Sequence, residues 1–479
     1  MLENDLIELV KKVKNMKSES NNIELKAAKI GAPKKLYGTL SSFSNLNNGG
    51  IILFGIDEEN DYELCGVYDA QDLQQQVTNQ SLQMEPVVRP LFTLANIEGK
   101  IIVSAEISEC DIFSKPCFYK GLGKIKGSFI RVGEADMLMS EYEVYSYESF
   151  KRKIQDELRV NERATIKDLS ENKIYNYINI LTTKKPNLVN LPKDLMLTTQ
   201  GITLNNIPTI CGLMVLGNYP QMYFPQLSIT AVVVPGDEYG IESIDGVRFI
   251  DNIRIEGTIP EMYDKALAFI QKNIKISTII DKDGKRKDKP EYPIKAIREI
   301  ILNALIHRDY SIHTDSSPVR IIIYNNRIEV ENPGGLYGRI TIDQLGKTSA
   351  DTRNPFIAGA LEVLMETENR FTGIPTIINE CKKHGLIEPL FESKRGVFKV
   401  TLFNKKSSDI STLDDLSKDI INFTITPRTK KELSENFGYN EDRTSYFINV
   451  YVAPLIEKGI LKYTIPEKPK SKYQKIVKA

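Results

Sequence analysis

Histidine and cysteine are scarce in this chain, with three histidines and five cysteines among 479 residues. The cysteines are scattered and odd in number, and none forms a Cys-x-x-Cys pair: Cys65, Cys110, Cys117, Cys211 and Cys381. A structural zinc site needs clustered nitrogen and sulfur ligands, so this distribution argues against one. Scattered thiols are typical of a reducing compartment, which predicts free cysteines.

The chain also lacks a long apolar run and an excess of charge of either sign. No stretch reaches the roughly 20 apolar residues of a membrane span, so we expect a cytoplasmic protein with no membrane partner. The 63 basic residues balance the 63 acidic residues, so any surface that binds nucleic acid must be local. A chain of this length is expected to contain about three domains.

The N-terminal residues alternate between helical and strand-like patterns. Apolar residues recur at helical spacing over 6–13 and again over 34–43. The second pattern stops at Asn47-Asn48-Gly49-Gly50, and the apolar run 51–56 that follows suits a buried strand. Further short strand-like runs are separated by glycines and charged turns. The pattern predicts an α+β domain over residues 1–145.

Carboxylates stand on both sides of this predicted strand. Glu19 and Glu24 precede it, and Asp57 and Glu58 follow it directly. Mg²⁺ and Mn²⁺ prefer oxygen ligands, and a cluster of these acids beside Lys26 can hold such an ion against a phosphodiester. The competing interpretation is that the acids are solvated turn residues, which is the usual role of acids at strand ends.

The order of these segments resembles the signature of the Schlafen AlbA-type nucleic-acid domain. The matching segments are Glu19–Lys26, Ser42–Asn45 with Gly49-Gly50, and Gly55–Glu58. In members that are nucleases, positions matching Glu19, Glu24 and Glu58 bind the metal and carry catalysis. An aspartate is common at the third position, so the adjacent Asp57 is an alternative ligand.

The resemblance leaves two activities open for this domain. Bacterial relatives include nucleic-acid-binding regulators as well as nucleases. The resemblance implies a Mg²⁺ or Mn²⁺ site on the acids if the domain is a nuclease. Lys26 and Arg131 are the basic residues that we expect to contact nucleic acid in both cases.

A second unit follows a charged stretch that begins after residue 140. We interpret 146–195 as a helical linker and 196–405 as the next domain. That domain contains a long predicted helix from Pro293 to about His307. Residues 319–330 then predict a hairpin whose two-residue turn, Asn325-Asn326, tolerates positive φ.

Three polar residues of the long helix are spaced four apart, namely Glu299, Asn303 and His307. They therefore share one face of the helix. A buried acid beside an amide on a largely apolar helix is costly unless a polar group binds there. The spacing predicts a ligand site on this face.

This arrangement resembles the N box of GHKL-type ATPases, in which the Glu orients a water for attack on the γ-phosphate and the Asn holds Mg²⁺. The resemblance gives these roles to Glu299 and Asn303. The glycine-bearing loop expected next is Asn332-Pro333-Gly334-Gly335, where glycine lets the backbone approach a nucleotide. The family's Asp that accepts the adenine amino group is replaced by Asn332, whose carbonyl oxygen can accept the same hydrogen bond.

Two further segments match later motifs of that family, Arg353-Asn354-Pro355 and Arg370–Ile374. Only Gly373 remains of the glycines that the second motif usually carries. The resemblance implies an α/β sandwich that binds ATP and Mg²⁺ through Asn303, His307, Asn332, Gly334, Gly335, Arg353 and Gly373. The alternative is a scaffold derived from an ATPase with an empty pocket.

Two glycine-rich segments fail as nucleotide motifs. Gly346-Lys347-Thr348 is not a P-loop, because Thr341 stands where the leading glycine is required and no strong strand immediately precedes it. Gly121–Gly127 has one residue too many for a dinucleotide fingerprint and lacks a following helix. Neither is assigned to a nucleotide.

The last segment, 419–479, predicts a winged helix. Thr429 and Glu432 form a capping box at one helix start, and a second helix, a strand from Gly459 and a lysine-rich tail follow. The residues expected to contact the DNA major groove or phosphates are Asn440, Arg443, Thr444, Tyr446, Lys468, Lys470 and Lys472. The alternative is that this unit only dimerises or packs on neighbours.

Together these patterns predict an α+β multidomain protein with a Schlafen AlbA-type domain, a central GHKL-like α/β sandwich and a C-terminal winged helix. We infer an ATP-binding regulator, of the transcriptional type, in which nucleotide modulates the binding of DNA or RNA. The alternatives are a metal-dependent RNase or DNase acting in phage defence, and a non-catalytic assembly protein. Weak ATP hydrolysis is compatible with these residues. We expect a homodimer, because winged-helix readers commonly pair on two half-sites.

Overall fold

A computed structural model describes residues 1–17, 21–240, 246–280, 286–348, 351–365, 373–404, 415–437, 444–466, 471 and 474–479. The chain divides into two compact units, one formed by 1–139 with 408–479 and the other by 140–407. In the described part of the chain, no helix combines the length and the apolar character that a membrane span requires.

Residues 1–139 form an α+β domain, as predicted from the sequence. The helices are α1 (Glu3–Met16), α2 (Tyr37–Asn45), α3 (Ala70–Ser81) and α4 (Gly123–Gly127), with a 3₁₀ turn at Ile112–Ser114. The strands are β1 (Ile23–Lys26), β2 (Gly50–Phe54), β3 (Ile56–Asp57), β4 (Glu63–Leu64), β5 (Met84–Glu85), β6 (Leu91–Ile97), β7 (Lys100–Ile107), β8 (Phe118–Tyr119), β9 (Phe129–Val132) and β10 (Ala135–Leu138). The main sheet has the order β1-β2-β7-β6, and β1 runs parallel to β2.

Glycine explains how α2 passes into β2. Gly49 takes a φ of 71°, which L side chains rarely adopt. A Cβ added at Gly50 would overlap the Phe43 ring, so glycine lets α2 pack directly against the start of the strand. Side chains of β2 then alternate between two cores, since Ile52 joins the core under α2 and Leu53 joins the core under α1. The buried strand predicted from residue 51 is confirmed.

The second unit, residues 140–407, contains a larger mixed sheet. The helices are α5 (Glu141–Arg152), α6 (Glu171–Lys184), α7 (Lys193–Thr199), α8 (Ile210–Leu216), α9 (Ile259–Asn273), α10 (Ile294–Ile306), α11 (Pro355–Met365) and α12 (Gly373–His384), with 3₁₀ turns at Asp156–Leu158, Ile166–Asp168, Pro186–Leu188, Pro220–Met222 and Ile342–Gln344. The strands are β11 (Thr203–Leu204), β12 (Ile207–Pro208), β13 (Ile229–Val233), β14 (Asp251–Ile255), β15 (Ile276–Ile280), β16 (Arg286–Pro290), β17 (Val319–Ile323), β18 (Arg327–Pro333), β19 (Leu390–Lys394) and β20 (Val397–Phe403).

The main sheet of this unit has the order β14-β13-β17-β18-β20-β19, with only β13 and β17 parallel to each other. Helices α9 and α10 pack against β13 and β18, and α12 packs on α10. The segment 146–195 contains the end of α5, the whole of α6 and the start of α7. Its apolar side chains, including Ile174, Tyr177 and Leu181, pack into the core of this unit. The structure therefore joins this segment to the second unit instead of leaving it as a linker.

The hairpin between β17 and β18 is confirmed, but its turn differs from the prediction. Neither Asn325 nor Asn326 takes a positive φ. Contacts outside the hairpin hold the turn instead, because the Asn325 backbone N–H donates to the Gly236 carbonyl at 3.1 Å and the Asn404 N–H donates to the Asn326 carbonyl at 3.1 Å. Tertiary hydrogen bonds thus replace the left-handed conformation that the two asparagines allow.

The C-terminal residues form helices followed by a small sheet. The elements are α13 (Asp415–Phe423), β21 (Arg428–Thr429), α14 (Lys430–Asn436), α15 (Thr444–Phe447), a π-helical turn (Ile448–Val452), α16 (Ala453–Glu457), β22 (Leu461–Tyr463) and β23 (Lys475–Lys478). The sheet order is β21-β23-β22. The predicted capping box is present, since the Glu432 N–H donates to Thr429 Oγ1 at 3.1 Å and the Thr429 N–H donates to the Glu432 carboxylate at 2.8 Å.

Candidate functional site

A cavity of about 520 Å³ opens beside α10 in the second unit. Glu299 and Asn303 line it and are half-buried, because one face of α10 points to the cavity while its isoleucines fill the core. His307 follows the last turn of α10, where its N–H donates to the Asn303 carbonyl at 2.9 Å, and it also lines the cavity. A cavity of this size can enclose a nucleotide.

The end of β18 forms a second wall of the cavity with Asn332, Gly334 and Gly335. Asn332 is only 4% exposed, and its Oδ1 has no hydrogen-bond partner. Gly334 has a φ of 113°, and an added Cβ would overlap the Arg353 guanidinium. Glycine is thus required at Gly334 for both its conformation and the close approach of Arg353.

Gly373, the first residue of α12, closes the cavity over the polar face of α10. A Cβ added to it would lie 3.0 Å from Asn303 Nδ2 and 3.3 Å from Glu299 Oε2. The backbone of Gly373 therefore directly faces both side chains. The rest of the predicted motif, Arg370 to Thr372, lies outside the described residues.

Burial sets the charge states of two cavity residues. Desolvation raises the pKa of the Glu299 carboxyl, and the neighbouring Arg298 opposes this only in part. His307 is accessible from the cavity, yet the protein around the cavity desolvates its cationic form. Together with repulsion from Arg353, this lowers the pKa of His307 to about 4. His307 is therefore neutral at pH 7 and can accept a hydrogen bond.

A buried network fixes Arg353 behind the glycine loop. The guanidinium lies 3.1 Å from the Asp309 carboxylate and donates to the Gly335 carbonyl at 3.1 Å. The Tyr142 hydroxyl of α5 donates to Asp309 Oδ2 at 2.9 Å, the same oxygen that Arg353 contacts. Burial raises the pKa of Tyr142 to about 12, whereas Arg353 and Ser311 outweigh burial and lower the pKa of Asp309. Arg353 thus positions the loop and carries a compensated charge.

The cavity brings together all of the residues that the sequence assigned to nucleotide binding in this unit. They are Glu299, Asn303, His307, Asn332, Gly334, Gly335, Arg353 and Gly373. Sequence reasoning missed further lining residues, notably Lys295, Arg298, Tyr337, Gly346 and Thr348. The i−4 spacing of Lys295 from Glu299 was a usable signal. Gly346 and Thr348 fail the P-loop pattern, and only the fold places them at the cavity.

The N-terminal acids are held by internal cations. Glu24 is buried, and its carboxylate is paired with Lys26 and lies 2.7 Å from the Arg131 guanidinium. Asp57 accepts from Lys29 at 2.6 Å and from Asn60 at 2.7 Å, and these hydrogen bonds lower its pKa.

Within the described residues, no group of three or more His, Cys, Asp or Glu side chains is arranged to hold a metal ion. Glu58 is exposed, and Glu19 lies outside the described part of the chain. The metal and catalytic roles of Glu19, Glu24, Asp57 and Glu58 therefore stay predictions.

Arg131 requires a correction to its predicted role. Its side chain is 1% exposed, lies between Glu24 and Asp136, and stacks over the Phe43 ring at 5.3 Å. Asp136 is in turn held by the Thr39 hydroxyl at 2.7 Å. A side chain buried in this way holds the domain together and cannot reach a nucleic-acid phosphate without unfolding its surroundings. Lys26 is partly exposed but is paired with Glu24.

The predicted DNA contacts of the C-terminal unit fall mostly on residues that the structure does not describe. Thr444 lies at the start of α15, and its hydroxyl is 3.1 Å from that of Ser434. Five of the others lie outside the described residues: Asn440, Arg443, Lys468, Lys470 and Lys472. The backbone of Tyr446 is described as part of α15, but its side chain is not. Their contacts with DNA stay predictions.

Comparisons with known proteins assign two regions of the chain. The SLFN_AlbA_2 family model, described as "Schlafen, AlbA_2", matches residues 19–140. The HATPase_c_4 model, described as "Putative ATP-dependent DNA helicase recG C-terminal", matches residues 316–402. The second match includes the glycine loop and Arg353 but begins after α10, which the structure adds to the cavity.

Solved structures include two similar proteins. The DIP2311 protein from Corynebacterium diphtheriae is 16% identical over 93% of this chain and 92% of its own, with a TM-score of 0.41. The N-terminal domain of a RecG-related protein from Nitrosomonas europaea is 26% identical over 28% of this chain and 94% of its own, with a TM-score of 0.23. Comparison with curated proteins gives no match. The chain therefore carries a Schlafen AlbA_2 domain and an ATPase-like domain that matches the recG C-terminal family model.

Proposed function

We propose that the cavity of the ATPase-like domain binds ATP with Mg²⁺ and that this binding regulates how the protein engages nucleic acid. The observation that carries the proposal is the convergence of polar residues from α10, β18 and α12 on one cavity. The unpartnered Oδ1 of Asn332 supports it, because a buried acceptor without a donor is costly unless a ligand supplies one.

The residues fit the parts of a magnesium-bound nucleoside triphosphate. Asn303 offers an amide oxygen of the kind that Mg²⁺ accepts as a ligand, and the bound ion would neutralise charge on the phosphates. Lys295 and Arg298 line the same cavity and supply positive charge for phosphate oxygens. A side chain at Gly373 would contact Glu299 and Asn303, so glycine at this position keeps a side chain off these two groups.

Glu299 is suited to hold and polarise a water molecule. Its raised pKa makes the carboxylate a stronger base than an exposed glutamate. The Glu299 carboxylate and the Asn303 amide both lie next to the Gly373 backbone. The same desolvation makes the group easier to protonate. Because only the ionised carboxylate can act as a base, easier protonation supports slow hydrolysis as an accessory activity of a nucleotide-dependent switch.

Nucleic acid is the partner that we assign to the flanking regions. The AlbA_2 match supports this for residues 19–140. In the C-terminal region, the order of helices and strands, with its sheet order β21-β23-β22, is consistent with the predicted winged helix. We propose that the lysines between β22 and β23 contact phosphates and that α15 meets the major groove.

A thermal-shift titration of the full chain tests nucleotide binding. We expect MgATP to stabilise the ATPase-like unit by about 2.7 kcal/mol when free nucleotide is 100-fold above its Kd. Asn303→Ala is expected to remove most of this shift. Asn176→Ala, an exposed asparagine of α6 away from the cavity, is the matched control and should retain it. A wild-type protein with no shift at millimolar MgATP would rule the proposal out.

The regulatory step needs a separate measurement. We expect the affinity of the full chain for a labelled duplex to change with MgATP, and the change to disappear in Asn303→Ala. Equal affinities with and without nucleotide, in a wild-type protein that shows the thermal shift, would separate nucleotide binding from regulation and refute the switch.

A further inference from the structure

The sheet side of the cavity has an apolar floor with one amide in it. In the register of β18 and β20, Val330 lies opposite Val400 and Asn332 lies opposite Phe398. All four side chains line the cavity. Three apolar groups therefore surround the Asn332 amide on a sheet surface. This arrangement suits the face of a heterocyclic base, with one polar contact to its edge.

Positive charge lies on a different wall of the same cavity. Lys295 and Arg298 are in the N-terminal half of α10. Arg298 Nε donates to the Tyr263 hydroxyl at 2.7 Å, which holds the guanidinium at the cavity wall. A triphosphate is therefore expected along α10, which leaves the apolar floor around Asn332 for the base.

Asn332 is free to meet a base in two ways. It is 4% exposed, its Oδ1 has no partner, and its side chain forms no hydrogen bond with any described residue. A rotation that exchanges Oδ1 and Nδ2 therefore breaks no hydrogen bond. An amide presents an acceptor in one orientation and donors in the other.

We propose that Asn332 reads the 6-position of a purine in either orientation, so that the cavity binds both adenosine and guanosine triphosphates. Adenine carries an amino donor at this position and guanine carries a carbonyl acceptor. Asn332 Oδ1 meets the first and Nδ2 meets the second. A carboxylate at the same place can only accept, so it would favour adenine. This inference rests on the proposed function, since it requires that the cavity holds a nucleoside triphosphate.

The wild-type protein provides the first test, with Kd values for MgATP, MgGTP and the triphosphate of unsubstituted purine riboside. We expect the ATP and GTP values to agree within about tenfold, which corresponds to about 1.4 kcal/mol. The unsubstituted purine offers neither donor nor acceptor at its 6-position and should bind about tenfold more weakly than either. A GTP affinity more than about 100-fold below that of ATP overturns the proposal.

Asn332→Asp provides the second test, measured at pH 8 so that the introduced carboxyl is ionised. We expect it to retain ATP binding and to lose at least about tenfold in GTP affinity relative to ATP. Asn332→Ala is the matched variant and should weaken both nucleotides alike. Melting curves without nucleotide establish that each variant is folded. An unchanged ATP to GTP ratio in Asn332→Asp means that Asn332 does not read the base and overturns the proposal.

These outcomes separate this inference from the proposed function. If wild type binds ATP but discriminates strongly against GTP, nucleotide binding stands and only the base-reading proposal fails. If wild type binds neither triphosphate, the proposed function itself fails, and the inference fails with it.

Discussion

The N-terminal domain and the central cavity both gather polar residues, but they satisfy them in opposite ways. In the N-terminal domain Glu24 is matched by Arg131 and Asp57 by Lys29, so the charges are compensated inside the protein. In the cavity Arg298 compensates the Glu299 carboxyl only in part, and Asn332 Oδ1 has no hydrogen-bond partner. A compensated cluster maintains a fold, whereas uncompensated groups around a cavity indicate a ligand.

The largest effect should come from breaking the compensated cluster. Arg131→Ala removes the cation that the buried Glu24 shares with the partly exposed Asp136, so we expect a loss of about 3–5 kcal/mol in stability of the N-terminal domain. Hydrogen exchange of the β1 and β2 amides, measured as a function of denaturant concentration, gives the free energy of unfolding of this domain. Lys29→Ala is the control, because its side chain is half-exposed and its loss should cost much less stability than the loss of Arg131. Equal losses in the two variants would contradict the comparison.

This cluster also affects how the predicted nuclease activity should be tested. Glu24→Ala would remove one of the two acids that pair with the buried Arg131, so a loss of cleavage in that variant would not distinguish a missing metal ligand from unfolding. Glu24→Gln keeps the shape of the side chain and some hydrogen bonding. Loss of Mn²⁺-dependent cleavage in a Glu24→Gln variant with a wild-type melting curve would identify a metal ligand.

The next largest loss of stability should come from a substitution in the glycine loop of the cavity. Gly334→Ala places a Cβ against Arg353 and Asp309 at a φ that side chains rarely adopt. We expect a loss of about 2–4 kcal/mol in stability of the ATPase-like unit, together with loss of the MgATP thermal shift. Gly335→Ala is a milder change, since its Cβ would lie 3.1 Å from the Ser393 hydroxyl and 3.9 Å from the Gly396 Cα. A Gly334→Ala protein as stable as wild type would show that the loop is not constrained by Arg353.

A glycine outside the cavity should give a smaller change of opposite sign. Gly359 lies within α11, and a Cβ added there meets nothing within 4 Å. Gly359→Ala is expected to stabilise the unit by about 0.5–1 kcal/mol, because alanine loses less backbone entropy in a helix. The MgATP shift should be unchanged. A destabilised variant would mean that α11 is packed more tightly than its geometry indicates.

The smallest change in stability should come from Glu299, despite its central position. Its raised pKa means that the folded state binds a proton more tightly than the unfolded state, so the carboxylate lowers stability as pH rises above the ordinary glutamate value. Glu299→Gln should therefore leave the nucleotide-free protein equally or slightly more stable at pH 7, by less than about 1 kcal/mol. Melting curves at pH 5 and pH 8 should show the advantage at the higher pH only. Any ATP hydrolysis should fall sharply in the same variant.

Sequence alone predicted those parts of the protein that depend on local spacing. The face shared by Glu299 and Asn303 follows from helical periodicity, and the capping box of Thr429 and Glu432 follows from a three-residue interval. The buried strand after Gly50 follows from a short apolar run bounded by turn residues. Each of these is set by interactions within a few residues, which a linear pattern records directly.

Other features were invisible in the pattern because they depend on which distant segments meet. Arg131 had the sequence character of a surface cation, yet the fold buries it against Glu24. Gly346 and Thr348 matched no nucleotide motif, yet the fold brings them to the cavity. The charged helices of 146–195 resembled a linker, yet their apolar faces complete the core of the second unit.

The sequence by itself therefore determined α10 with its polar face, the capping box of Thr429 and Glu432, and the strand after Gly50, since these follow from local spacing. Only the tertiary structure decided which polar groups are neutralised and which remain available to a ligand. Burial and pairing depend on residues from distant parts of the chain. Glu24 and Glu299 are the same residue type, and only their three-dimensional neighbours separate a structural ion pair from a candidate ligand-binding group.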